Sequence, residues 1–149
     1  MANLERAIQI AHEAHDGQTR YDGRPYVVHP LRVMGRVAAA GFSEATQIAA
    51  VLHDVVEDNP DWTIERLREE GFEEDVLDAL DLLDKKDTDE NEYIDKIAEN
   101  DIARPVKKAD MDDNLDDDPT DRQVQKYVRR LARLATTAAK VKVGTQRAS

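Results

Sequence analysis

Apolar residues recur at intervals of three and four along most of the chain, which predicts about eight helices and no strand. Leu4, Ile8 and Ala11 give a first helix ending near His15, before Gly17. Residues 17–28 read as a loop, punctuated by Asp22-Gly23 and Pro25. A second helix starts at His29-Pro30, where a proline's missing N–H costs nothing in the first turn, and stops at Gly41. Ser43 caps a third, with Glu44 in its first turn. Thr63 caps a short helix to Glu70, and Val76, Leu77, Leu80 and Leu83 form the apolar face of Glu74 to Leu83. Residues 85–91 are polar and read as loose. Helices follow over 92–100 and 103–115, with Pro105 in the first turn of the latter. Asp118-Pro119 breaks the chain, and Thr120 caps a long last helix on which Val124, Tyr127, Val128, Leu131 and Leu134 repeat. Residues 141–149 are basic and small, and are expected to fray as a flexible tail behind a single domain over 1–140.

The chain's 149 residues suffice for one domain with a core. Apolar residues make up 40% and aromatics only 5%, so Ala, Leu, Val and Ile must build that core, which favours an all-α fold. A net charge of −11 argues against nucleic acid as a partner. With no cysteine there is neither a disulfide framework nor thiolate chemistry. No stretch has the length and apolarity of a membrane span, and the N-terminus lacks a signal-peptide apolar region, so a cytoplasmic protein is expected. The oligomeric state is not set by the sequence.

One apolar helix carries an odd insertion. In Ile48-Ala49-Ala50-Val51-Leu52-His53-Asp54-Val55-Val56-Glu57-Asp58, an imidazole and a carboxylate sit side by side where burial is expected. Metal ligation explains such a pair. His29, at a helix start after Val27-Val28, and Asp110, ending Val106-Lys107-Lys108-Ala109, are the best further ligands. Two His and two Asp suit a borderline divalent ion. Glu57 is four residues after His53 and three after Asp54, so it shares their helix face. A carboxylate there overlooks the metal without binding it, the place for a general base acting on water, with Asp58 assisting. Glu57 and Asp58 also oppose the helix dipole, so their position calls for a reason beyond helix stability. The competing reading is a buried histidine with a satisfied hydrogen bond and an ordinary acidic helix end. His12 and His15 read as surface or packing residues.

These residues resemble the HD-domain metal-dependent phosphohydrolases, and within them the alarmone hydrolases of RelA/SpoT type and their small stand-alone relatives. Ala11-His12-Glu13-Ala14-His15-Asp16-Gly17-Gln18-Thr19-Arg20 and Gly23-Arg24-Pro25-Tyr26-Val27-Val28-His29-Pro30 look like that family's opening loop and first metal histidine. Residues 49–58 are similar to its His-Asp motif and catalytic Glu-Asp pair. Val106-Lys107-Lys108-Ala109-Asp110, with Asn114, looks like its last metal aspartate and following asparagine, and Asp121 to Tyr127 like the start of its closing helix. The resemblance implies a compact all-α HD-domain bundle with His29, His53, Asp54 and Asp110 on one divalent ion, commonly Mn2+. It implies Glu57 and Asp58 as the activating pair, and removal of the 3′-pyrophosphate of guanosine tetra- or pentaphosphate. Arg20 and Tyr127 become nucleotide contacts by the same resemblance. Spacing adds that Asn114, one turn from Asp110, faces the same cavity, and that Lys107, three before it, can offer a cation to phosphate. The chain's length leaves no room for the family's synthetase domain, so hydrolysis without synthesis is expected.

Two positions depart from the family pattern. Met111 stands where a basic residue is common, and Asp113 where His or Tyr precedes the Asn. The run Asp112, Asp113, Asp116, Asp117 and Asp118 repels an anionic nucleotide unless its side chains turn away. The alternatives are therefore an HD phosphohydrolase acting on another nucleotide or phosphate ester, or a nucleotide-binding module without catalysis. An EF-hand reading of Asp110, Asp112 and Asn114 fails, because the loop's required Gly and Glu fall on Leu115 and Asp121.

Overall fold

The computed structural model describes residues 2–148, with side chains for residues 2–142. Eight helices follow one another among the described residues: α1 (Leu4–Ala14), α2 (Val28–Ala39), α3 (Glu44–Asp58), α4 (Ile64–Glu70), α5 (Glu74–Leu83), α6 (Glu90–Ala98), α7 (Ala103–Leu115) and α8 (Asp121–Ala148). The all-α expectation holds, and the β-geometry present is an isolated Thr19–Pro25 bridge in the α1–α2 loop.

Helix α3 is the axis of the bundle, packing on α1, α2, α5 and α7. Residues 48–55 are all buried, so α3 is enclosed on every side rather than along one stripe. Ala49 and Ala50 allow neighbouring backbones to approach closely, while Val51, Leu52 and Val55 fill the core. His53 and Asp54 are thus carried into the molecule's centre by a helix that has no solvent face at that level. Burying them without partners is costly, so their surroundings must supply compensating charge and hydrogen bonds.

The predicted start signals act as expected. Ser43 and Thr63 accept from the N–H groups of Thr46 and Arg66. Thr120 accepts from the Gln123 N–H at 3.2 Å while Gln123 Oε1 accepts from the Thr120 N–H at 2.9 Å, a reciprocal capping box. Three details differ from expectation. Helix α6 begins at Glu90, because Asp89 caps the N–H of Glu92, which shortens the polar segment expected over 85–91. Val128 is 54% exposed and lies off the buried face of α8, which runs instead through Tyr127, Leu131 and Leu134. The α8 backbone continues as helix from Val141 to Ala148, where fraying was expected. Among the described residues, no helix is long and apolar enough to cross a membrane.

Candidate metal centre and catalytic cleft

The four sequence-predicted ligands come together from three helices. His29, in the first turn of α2, turns Nε2 to within 2.8 Å of Asp110 Oδ1 on α7 and 3.7 Å of Asp54 Oδ2 on α3. His53 Nε2 lies 3.2 Å from Asp54 Oδ1 and 3.4 Å from Asp110 Oδ1. It makes no well-directed hydrogen bond to either, a buried nitrogen left without a partner. His29, His53 and Asp54 each offer a ligand atom within 4.8 Å of the others'. Asp110 lies outside that three-residue set and joins it through its contacts to both histidines.

The remote ring nitrogens fix the orientation of both imidazoles. His53 donates from Nδ1 to the Ala50 carbonyl at 2.5 Å, and His29 from Nδ1 to Asp113 Oδ2 at 2.8 Å. A carbonyl and a carboxylate can only accept, so both Nδ1 atoms carry hydrogen and both Nε2 atoms face the cluster. This is the arrangement in which histidines serve metals. The electrostatics agree. Burial opposes charge on His53, but the negative charges of Asp54 and Asp110 close to its ring outweigh it and push its pKa up to about 10. His29 is raised likewise, its hydrogen bonds to Asp110 and Asp113 overcoming burial. A pocket that draws protons onto two buried imidazoles also draws a cation. With two nitrogen and two oxygen donors, the residues present fit a borderline divalent metal.

Tyr26 is a site residue that the sequence reading missed. Its hydroxyl donates to Asp54 Oδ2 at 3.1 Å, and its ring packs 4.9 Å from that of His15, itself anchored by Gln18 at 2.9 Å. His15 is buried in this packing role, whereas His12 is exposed. The local cause is the α1–α2 loop. Tyr26 N–H donates to Gln18 O and Arg20 N–H to Arg24 O, closing a tight hairpin whose turn needs the left-handed Gly23, at φ 86°. That hairpin aims Tyr26 inward. Its motif was visible in the sequence, but nothing in the spacing revealed which way the ring points.

Glu57 and Asp58 stand at the mouth of the cluster, open to solvent along one side yet walled by protein on the other. Partial burial, then the Asp54 charge, push the Glu57 pKa up to about 7, against the pull of Lys107 and His53. Burial and Asp54 raise Asp58 as well. A carboxylate poised near neutrality beside a cation-binding cluster has the pKa of a general base.

The predicted substrate contacts divide. Lys107 Nζ donates to Asp110 Oδ2 at 3.2 Å and lies 5.4 Å from the Tyr93 ring centroid. Asn114 donates to Asp110 Oδ1 at 3.4 Å, so the one-turn spacing does bring it to the same cavity. Tyr127 is half-buried on α8, its pKa raised by burial and by Asp110. Arg20 instead donates to Asp117 Oδ2 at 2.6 Å and is largely enclosed there. Next to Lys107 the sequence reading also missed a basic hollow of about 500 Å³. It is lined by Lys85, Arg122, Lys126, Arg129 and Arg130, with Glu90 as its acidic member. Burial and repulsion from Arg130 and Lys107 lower the pKa of Lys126, the mark of crowded positive charge.

The acidic run does not face this cavity as free charge. Asp113 is buried and takes Arg32 and Arg36 besides His29. Asp116 pairs with Arg36, Asp112 with Lys108, and Asp117 with both Arg20 and Arg24 at 2.6 Å. Met111 is wholly inside the core.

Known proteins align with these features. A family profile described as HD domain matches residues 7–132, most of the chain. A Haemophilus influenzae guanosine-3′,5′-bis(diphosphate) 3′-pyrophosphohydrolase is 42% identical over 78 residues, 51% of this chain and 11% of that protein. The Escherichia coli bifunctional (p)ppGpp synthase/hydrolase SpoT is 46% identical over 57 residues, 38% of this chain and 8% of its own length. The chain thus spans about a tenth of the length of these curated relatives. A solved structure of a metazoan ortholog of SpoT, described as hydrolysing ppGpp and acting in starvation responses, superposes with a TM-score of 0.71 at 28% identity, covering 99% of this chain and 96% of that one.

Proposed function

We propose that this chain, which belongs to the HD-domain family, is a metal-dependent phosphohydrolase that removes the 3′-pyrophosphate of guanosine 3′,5′-bis(diphosphate) and its pentaphosphate analogue. The observation that carries the reading is the buried pair of inward-facing imidazole Nε2 atoms with Asp54 and Asp110, one helical turn from Glu57. Relatives named for that activity and a structural likeness along nearly the whole chain support the substrate. A cytoplasmic location follows, since the substrate is a soluble nucleotide. Residues 1–140 act as one hydrolase domain in this reading.

His29, His53, Asp54 and Asp110 hold one divalent ion, for which we favour Mn2+. When bound, that ion withdraws charge from the scissile phosphate and acidifies the attacking water. Glu57 takes the proton as the water oxygen attacks phosphorus, the bond to the 3′-oxygen breaks, and return of that proton to the 3′-oxygen yields a nucleoside 5′-diphosphate with a free 3′-hydroxyl, and pyrophosphate, from the tetraphosphate. Asp58 keeps negative charge beside Glu57 and so sustains its basicity. Tyr26 holds Asp54 in one rotamer. Lys107 balances the charge of Asp110 and, with Asn114 and Tyr127, borders the nucleotide. Arg20 serves by fastening the hairpin to Asp117 and by adding its charge near Tyr127.

The basic hollow is the receiving surface for phosphates beyond the one attacked. In a chain of net charge −11, five cations around one concavity set the local field opposite to the global one. Lys126→Glu is expected to raise KM about tenfold, roughly 1.4 kcal/mol, with kcat changed much less, as measured by initial rates. A KM within about twofold of wild type removes the hollow from the substrate path.

The test of the reading is incubation of Mn2+-loaded protein with the tetraphosphate, following pyrophosphate release and the nucleoside diphosphate formed. Protein that binds Mn2+ without turning over this nucleotide sinks the substrate assignment. The charge objection to that substrate is weakened by the pairing of Asp112, Asp113, Asp116 and Asp117 with basic partners.

A further inference from the structure

We infer that Asp113 is a positioning residue for the metal centre: its carboxylate, clamped by Arg32 and Arg36, fixes the tautomer and ring orientation of His29. The inference rests on the metal-site reading above and assigns a role to a position where this chain departs from the family pattern. His29 is bracketed by two aspartates of one helix. Asp110 faces Nε2 and Asp113, three residues on, faces Nδ1, both at 2.8 Å. Asp113 is fully buried, so its charge needs partners. It accepts from His29 Nδ1, from Arg32 Nε at 3.0 Å and Nη2 at 3.0 Å, and from Arg36 Nε at 3.2 Å.

The spacing on α2 makes the device compact. Arg32 and Arg36 are three and seven residues after His29, so all three share one face. The two arginines grip the carboxylate while the imidazole receives what remains of its acceptor capacity. Asp113 cannot rotate without abandoning an arginine, and His29 cannot turn without losing Asp113. In the neutral imidazole that ligates a metal, the single ring hydrogen then stays on Nδ1, which leaves Nε2 as the electron-pair donor. A ligating nitrogen kept unprotonated and correctly aimed binds its ion more tightly. His53 receives the same service from the Ala50 carbonyl, a neutral acceptor, so the charged acceptor is particular to His29.

Asp113→Asn is the informative change. Its amide has one acceptor oxygen for the work of two, and its NH2 faces either donor arginines or the His29 N–H. Binding of Mn2+ is read by the electron paramagnetic resonance signal of the free ion, with no substrate present. The dissociation constant is expected to rise about 10- to 100-fold, while kcat recovers substantially at saturating Mn2+. Arg6→Gln is the structural control: it breaks the Arg6–Glu70 pair between α1 and α4 and touches neither Asp113 nor the arginines that hold it. It should lower the melting temperature yet leave Mn2+ affinity within about threefold, outside the range expected for a ligand's supporting partner. Unchanged affinity in folded Asp113→Asn overturns the inference, as does an equal loss in both variants. Where Asp113→Asn does not fold, the Zn2+-loaded wild type decides: nitrogen NMR should show His29 protonated at Nδ1, and an unprotonated Nδ1 overturns the assignment. Failure of the wild type to bind Mn2+ at all would instead strike the metal reading itself.

Discussion

Asp54→Asn is expected to leave a folded protein whose hydrolysis is slower by about a thousandfold, the equivalent of about 4 kcal/mol. The amide keeps the volume of the side chain and still accepts from the Tyr26 hydroxyl, so packing at the centre of α3 survives. What it loses is the negative charge that faces both imidazoles, 3.2 Å from His53 and 3.7 Å from His29. A divalent ion then meets one fewer anionic donor, and His53 loses the carboxylate chiefly responsible for its raised pKa. The sign of that change can be checked separately. In metal-free wild-type protein, protonated His53 contributes stability that is fully present below its unfolded value of about 6.5 and is lost as pH rises through about 10. Asp54→Asn should shrink this pH dependence in thermal unfolding. Near-wild-type turnover in the variant at saturating Mn2+ would remove Asp54 from the metal site.

The fold and the convergence of the four candidate ligands were readable for the same reason: helix periodicity ties sequence spacing to direction in space. His53-Asp54 interrupts a continuous apolar run, and Glu57 follows at one turn, so burial, polarity and facing direction all come from one segment. Asn114 follows Asp110 by the same rule, and the structure brings it within 3.4 Å. The acidic run shows where that reading stops. Its residues looked like unbalanced charge because their partners are distant in sequence: Asp113 meets His29 across 84 positions and Asp117 meets Arg20 across 97. Spacing alone reports which residues share a face, not what lies opposite that face. Even so, two local signals pointed to Asp113. It lies three residues from Asp110, and His29, Arg32 and Arg36 repeat along one side of α2. Tyr26 was opaque for another reason, since its direction is set by a hairpin with left-handed glycine geometry rather than by helix periodicity.

The same partition explains how an acidic protein can handle a polyanion. Arginines at 20, 24, 32 and 36 neutralise the aspartates at the end of α7, and that side of the cleft becomes a rigid ion-pair lattice. The opposite side, from Lys107 to Lys126 and Arg130, keeps a cationic excess in which Lys126 is repelled by its neighbours. For the proposed nucleotide substrate this field would draw the phosphates toward α8, away from the acidic run. Bringing Lys126 and its neighbours next to a phosphate relieves their mutual repulsion, so part of the binding energy comes from charge strain already present in the free protein.

Glu57→Gln is expected to reduce kcat/KM by about 10²- to 10⁴-fold, the range set by loss of a general base, and to abolish the ascending limb of the pH profile. The glutamine is nearly isosteric but cannot take a proton at neutral pH. In the wild type the base works only when ionised, so log(kcat/KM) should climb with pH until Glu57 is deprotonated and then level. Burial and Asp54 set that point at about 7 in the metal-free protein. A cation bound beside Asp54 offsets its repulsion and favours the ionised carboxylate, so the limb in loaded enzyme falls at or below that value. Asp58 raises Glu57 by its negative charge, and Asp58→Asn should move the limb to still lower pH with a smaller loss of rate. Rates are to be measured at saturating Mn2+ across pH 5 to 9, a range chosen to bracket the expected value, with metal occupancy checked at each point. A limb that persists unchanged in Glu57→Gln assigns the titrating base elsewhere, and Asp58, the other raised carboxyl at the mouth of the site, is then the group to test.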